Sequence, residues 1–151
     1  MDAALSELAL MLVGLLSIAV VVPSWYFHLE ERKAQSDLAT LTSSVVKIAD
    51  LITTTYEEGI GSEQMAMLSL PRVEDVTRNG TSLVFITDLG YRDLGVLYNS
   101  SIAKVVSVNI SGRTALTLLT DVNLSVRGLI TDRTYLVVRR NPYGVELVFN
   151  S

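Results

Sequence analysis

The side chains able to transfer protons are few in this sequence, and their spacing does not bring them together. His28 is the single histidine, and it follows three aromatic residues at the end of an apolar run, a position typical of a membrane surface and not of a general base or metal ligand. The carboxylates that occur in pairs are sequence neighbours, so in a helix they point to different sides: Glu30-Glu31, Glu57-Glu58 and Glu74-Asp75. We therefore predict no enzyme, no cofactor and no metal site.

The composition argues against two further classes of function. Acidic residues outnumber basic ones by 16 to 12, the net charge is −4, and no basic stripe occurs, so we predict no nucleic-acid binding. The chain has no cysteine, which removes disulfides, zinc–thiolate sites and thiol catalysis together.

Four asparagines have the N-x-[ST] spacing of acceptors for N-linked glycans: Asn79, Asn99, Asn109 and Asn123. Asn141 is excluded because Pro142 follows it. The four acceptors all lie in the C-terminal two thirds of the chain and mostly near predicted turns. Their clustering predicts a glycosylated domain outside the cytoplasm.

Glu7 is the one charged residue inside the N-terminal apolar run. An ionised carboxylate there costs up to ~3 kcal/mol near the centre of a bilayer and less near its edge. Two interpretations stay open. Glu7 reaches the membrane surface with Asp2 beside it, or it pairs with a positive N-terminal amine, its own or a neighbour's, when subunits assemble.

The apolar run itself extends from Ala3 to Phe27 and has four polar interruptions, of which Glu7 alone is charged. Its length is enough to cross a hydrocarbon layer of ~30 Å at ~1.5 Å per residue. Trp25-Tyr26-Phe27 and the charged cluster after it indicate the membrane boundary. No Lys or Arg precedes the run, which argues against a removable secretory signal, and Pro23 predicts a kink rather than a stop.

A second, amphipathic half follows over residues 34–57. Its apolar residues are spaced 3, 4, 3 and 4 apart, the seam of a helix that packs against other helices: Leu38, Leu41, Val45, Ile48 and Ile52. We predict one helix over residues 1–58 that stops at Gly59-Ile60-Gly61, with a linker over 59–64. The alternative interpretation is a stalk helix that lies on its own domain.

The period of the apolar residues changes to two from about Met65 onward. Short β-rich stretches separated by turn signals, including Asn79-Gly80, predict roughly seven strands over residues 65–151. Strands with no helix between them form an antiparallel sandwich or barrel. The predicted fold class is therefore α+β, a long helix followed by a β-rich globular domain.

An early glutamate in the apolar helix that opens the chain, "LSELALMLVGLLSIAVVVP", followed by a β-domain with several sequons, resembles type IV pilin-like subunits, in particular archaeal pilins, adhesion-filament subunits and archaellins. The resemblance implies a helical homopolymer on the cell surface, with helices in its core and glycosylated domains outside, inserted in the membrane before an assembly ATPase and platform extract it. Those families carry the glutamate at the fifth mature position, whereas here it is Glu7. The implied assembly residues are Glu7, Leu8, Leu12, Leu15, Leu16, Val20, Leu38, Leu41, Val45, Ile48 and Ile52.

Alternatives stay open for the side of the membrane on which the β-domain lies and for the function. Arg32-Lys33 on the C-terminal flank would place the β-domain in the cytoplasm, and the sequons place it outside. The basic flank and the sequons are compatible if a basic leader, as in pilin precursors, has been cleaved from ahead of residue 1. The alternative function is a single-pass membrane protein whose β-domain binds an envelope partner, such as an archaellum stator component. A membrane-tethered enzyme without recognisable motifs is a distant third.

Overall fold

A computed structural model describes residues 2–151, and it confirms the predicted α+β fold. One helix, α1 (Asp2–Glu58), precedes nine strands. The chain divides into two compact units, the first reaching to Ser36 and the second running from Asp37 to Ser151. α1 continues through Pro23.

The strands form two sheets. They are β1 (Glu63–Ser69), β2 (Val73–Asn79), β3 (Ser82–Gly90), β4 (Val96–Asn99), β5 (Ala103–Ile110), β6 (Arg113–Thr120), β7 (Leu124–Gly128), β8 (Arg133–Asn141) and β9 (Gly144–Asn150). The four-stranded sheet has the order β1-β8-β9-β7 and the five-stranded sheet has the order β2-β3-β6-β5-β4. Every pairing is antiparallel except β7 with β9, which is parallel and departs from the predicted antiparallel arrangement.

The helix ends where the glycines predict. α1 stops at Glu58, and Gly59 and Gly61 have φ values of 98° and 90°, which side chains other than hydrogen rarely tolerate. The Ser62 hydroxyl lies 2.7 Å from the carbonyl oxygens of both Thr55 and Gly59 and can donate its one proton to either acceptor at the helix end. β1 begins at Glu63, two residues before the predicted start of the β-domain.

The amphipathic half of α1 contributes to the core of the second unit. Leu41, Val45, Ile48 and Ile52 are fully buried and belong to one cluster with apolar side chains of both sheets, while Leu38 is also buried. This corrects the predicted helix–helix seam: four of its five residues pack in one core with strands of the same chain and the fifth, Leu38, is also buried, so none of them is exposed to a neighbouring helix. Residues 37–58 instead fit the alternative interpretation, in which the helix lies on its own domain.

Polar contacts hold this half of the helix to both sheets. Asp37 forms an ion pair with Arg72 at 2.7 Å, in the turn between β1 and β2. The Ser44 hydroxyl donates to the carbonyl of Ser69 at 2.6 Å, and the Thr53 hydroxyl lies 3.0 Å from that of Ser100. Because each hydroxyl has a partner, burying these polar groups carries little penalty.

Truncation of Ile52 to alanine is expected to destabilise the second unit by about 2–5 kcal/mol, because the methyl groups lost are fully buried and leave a cavity. Urea unfolding of the full chain in detergent, read by pulse proteolysis, measures the loss. Lys47→Ala, on an exposed position of the same helix, is the control and should change stability by less than about 0.5 kcal/mol. If Ile52→Ala weakened only association between chains and not unfolding, the intrachain core would be wrong.

Candidate functional site

The side chains of the apolar half of α1 are exposed along its whole length. Every residue from Asp2 to Lys33 is exposed, and the helix is long and apolar enough to cross a membrane by length and composition. Apolar surface in contact with water costs ~25 cal/mol per Å². This segment therefore requires either lipid or other protein chains on its surface.

The apolar assembly residues predicted in this segment share one face, which does not include Glu7. Leu8, Leu12, Leu15, Leu16 and Val20 are spaced 4, 3, 1 and 4 apart, which keeps them on one side of a helix, and all are exposed. The structure does not single this face out, since large apolar side chains on the other sides are equally exposed: Leu10, Met11, Val13, Ile18 and Val21. A helix that is apolar all round is one that is buried all round in its working state.

Polar groups inside the apolar half are few, and one of them is satisfied within the helix. The Ser17 hydroxyl donates to the carbonyl of Val13 at 2.8 Å, so this hydroxyl is satisfied in an apolar environment. Glu7 is exposed on the helix surface, so its carboxylate is accessible to a partner outside the chain.

An aromatic band closes the apolar half. Trp25, Tyr26 and Phe27 are each about two-thirds exposed, and His28 meets the ring of Phe27 edge-on with the ring centres 6.5 Å apart. Trp25, His28 and Arg32 also line one shallow groove along the helix. Amphipathic rings beside a charged residue suit the boundary between an apolar and an aqueous phase.

One of the three acidic pairs, Glu74-Asp75, has structural partners in the β-domain. Glu74 forms an ion pair with Arg113, and Asp75 accepts a hydrogen bond from the backbone N–H of Val76 at 2.8 Å. Across residues 2–151, no three side chains of the types that bind metals come close enough to share an ion.

The four sequon asparagines all have exposed side chains, which meets the steric condition for glycosylation. The Oδ1 atom of Asn79 accepts a hydrogen bond from the N–H of Gly80 at 2.8 Å, and that of Asn109 accepts one from Gly112 at 2.9 Å. These turns engage the amide oxygens and leave Nδ2, the atom that carries an N-linked glycan, as the outward group. Glycosylation itself stays a prediction.

Two of these asparagines lie in one row across the five-stranded sheet. The paired residues of the row are Asn79, Ser82, Leu119, Lys104 and Asn99. Four strand-to-strand steps of ~4.8 Å place the outer two about 19 Å apart. Leu119 and Lys104, between them, are exposed, so glycans on Asn79 and Asn99 would flank an open strip of the sheet.

Tyr143 was not identified from the sequence as a functional residue. Its side chain is 87% exposed at the tip of the β8–β9 turn, and it lines a shallow depression together with Asn123 and Ser125. An aromatic residue in the Asn141-Pro142-Tyr143-Gly144 turn was the available signal, but the sequence does not show that Asn123 is its neighbour.

Family models, curated proteins and solved structures were all compared with this chain, and none of them matches it.

Proposed function

We propose that this chain is the structural subunit of an extracellular helical filament of the archaeal type IV pilus-like kind, with adhesion as its role. The apolar halves of the helices bundle in the filament core, and the glycosylated β-domains form its surface. The observation that carries the proposal is a helix exposed and apolar on all sides over residues 3–27, joined to a unit that already has a closed core of its own.

The burial of the amphipathic half supports a division of labour along α1. Since Leu38 to Ile52 are used inside the chain, contacts between subunits fall on the apolar half, where Leu8, Leu12 and Leu16 are exposed. Transfer of this half from lipid to a helix bundle changes little hydrophobic energy, because lipid tails are as apolar as leucine. Close packing at small residues such as Ala9 and Gly14 then favours the polymer.

Sedimentation without detergent tests the proposal. Cells that make the chain are sheared mildly, and the released material is centrifuged and imaged by electron microscopy. The filament interpretation expects the full-length chain in the pellet as thin polymers. Full-length chain that stays with the cells and dissolves only in detergent would overturn it.

The aromatic band favours a second candidate function. Trp25 to Phe27 beside Arg32 suits a permanent anchor at a membrane surface, with the β-domain outside the membrane binding an envelope partner. In that case the helix works as a single span, and the chain exists as a bilayer-embedded species without a polymer.

Glu7→Gln tests whether the Glu7 carboxylate takes part in assembly. If the carboxylate pairs with an N-terminal amine of a neighbouring subunit, its loss should reduce the amount of sheared polymer by about tenfold, because about 1.4 kcal/mol per contact is a factor of ten. Quantitative immunoblots of sheared and membrane fractions measure the ratio. Asp2→Asn is the control for charge removal at the same end of the helix. An unchanged ratio in Glu7→Gln would contradict the assigned pairing.

A further inference from the structure

The depression beside Asn123 is bounded by two segments that are distant in sequence. Asn123 lies just before β7, and the Asn141–Gly144 turn joins β8 to β9. The N–H of Val145 donates to the carbonyl of Asn123 at 2.9 Å, which ties the two segments together. A Cβ added at Gly144 would lie 3.1 Å from Cβ of Asn123. The root of the Asn123 side chain therefore rests against the turn that carries Tyr143.

Two hydrogen bonds fix the backbone of the turn that carries Tyr143. The N–H of Tyr143 donates to Oδ1 of Asn141 at 2.9 Å, and the guanidinium of Arg140 donates to the carbonyl of Gly144 at 3.3 Å. An aromatic side chain that is 87% exposed on a fixed turn gains nothing from its own domain. It presents a flat apolar face at low entropic cost to a group arriving from outside.

We propose that the N-linked glycan of Asn123 folds back into this depression and that its first pyranose ring packs its apolar C–H face on the ring of Tyr143. Ser125 adds a hydroxyl at the rim as a hydrogen-bonding group for a sugar hydroxyl. The inference rests on the proposed glycosylated exterior and deepens it by assigning one acceptor site a docked, stabilising glycan.

The occupant is defined by the covalent chemistry of the site. The Nδ2 atom of Asn123 forms a bond to C1 of the sugar while the bond from C1 to the phosphate of a lipid-linked oligosaccharide donor breaks. The lipid phosphate leaves with the electron pair, and the transferase removes one proton from Nδ2. The attached ring then lies within reach of the depression because Asn123 itself lines it.

Two of the other acceptors, Asn99 and Asn109, lack this arrangement. Tyr98 precedes Asn99 in sequence, but its hydroxyl reaches Thr53 at 3.3 Å and Asp50 at 3.4 Å on the helix side of the sheet. Asn109 lies beside the Ser111-Gly112 turn, whose tip carries no aromatic side chain. A glycan at Asn109 is therefore the matched control, because no aromatic ring lies beside it for a sugar to pack on.

The test is a double-mutant cycle on the full-length glycosylated chain with Asn123→Gln and Tyr143→Ala. Hydrogen exchange of Leu124–Gly128 and Gly144–Asn150 reports local opening. Each single variant should lower protection by about fivefold, the double variant no further than either, and Tyr143→Phe should keep protection, because the ring face and not the hydroxyl makes the contact. Combining Tyr143→Ala with Asn109→Gln should instead give additive effects.

Glycopeptide mass spectrometry separates the two ways in which the inference fails. An unmodified Asn123 would overturn the docked glycan together with the proposed modification at this site. A glycan present at Asn123 whose removal is additive with Tyr143→Ala would overturn the docking alone and leave the glycosylated exterior standing.

Discussion

Replacing Gly128 with alanine is expected to destabilise the β-domain by about 2–5 kcal/mol, the sum of overpacking and left-handed backbone costs. A Cβ at this position would lie 1.9 Å from the carbonyl oxygen of Phe149 and 2.9 Å from its carbonyl carbon. Both atoms belong to the backbone of β9, which pairs with β7 at this point. Neither can move aside without separating the two strands.

Gly61→Ala is the matched control for this variant. Gly61 and Gly128 have nearly the same φ, 90° and 91°, but nothing lies within 4 Å of a Cβ added at Gly61. The control should therefore lose only about 1–2 kcal/mol of stability, the cost of a left-handed backbone conformation at a residue with a Cβ. Urea unfolding of both variants in detergent measures the difference, and equal losses would mean that β7 and β9 do not approach each other as described.

Leu12→Arg is expected to reduce the amount of polymer by at least about a hundredfold, because an unpaired charge buried in a helix bundle costs several kcal/mol and recurs in every subunit. The same variant is tolerable in a single membrane span. Insertion costs about 3 kcal/mol for the arginine, whereas the eleven other Leu, Ile, Val and Phe residues between Ala3 and Phe27 contribute about −0.3 to −0.6 kcal/mol each. Membrane fractions should therefore still contain the variant.

Leu12→Met is the control, since it keeps the apolar character and nearly the volume of an exposed side chain in the middle of the run. Immunoblots of sheared and membrane-bound material give the two quantities needed. A Leu12→Arg chain that still forms polymers in normal amount would show that position 12 lies outside the filament core.

The sequence was sufficient for the elements whose signals are local. The apolar run, the helix end before Gly59 and the hairpin at Asn79-Gly80 each depend on neighbouring residues, and the structure has all three where they were predicted. The 3-4-3-4 spacing correctly marked one face of residues 38–52 as buried. It did not identify what covers that face, because periodicity is the same whether the partner is another helix or a sheet.

Contacts between distant segments could not be predicted from the sequence. The parallel pairing of β7 with β9 skips β8, and no local pattern encodes it. The same pairing sets Asn123 beside Gly144, 21 positions later, and so brings Tyr143 to a sequon. The exposure of the four asparagines follows from the turn positions that the sequence already indicated. The row that joins Asn79 to Asn99 could not be predicted, because it depends on the register of four strand pairs.

Photo-crosslinking from position 12 tests the central claim most directly, namely that the apolar half of α1 is surrounded by copies of the same chain. A benzophenone amino acid replaces Leu12, and the protein released from the cell surface by shearing is irradiated and analysed by mass. The filament interpretation predicts adducts of two chains joined within their apolar helices. Adducts with lipid alone, in a chain that shearing does not release, would contradict it.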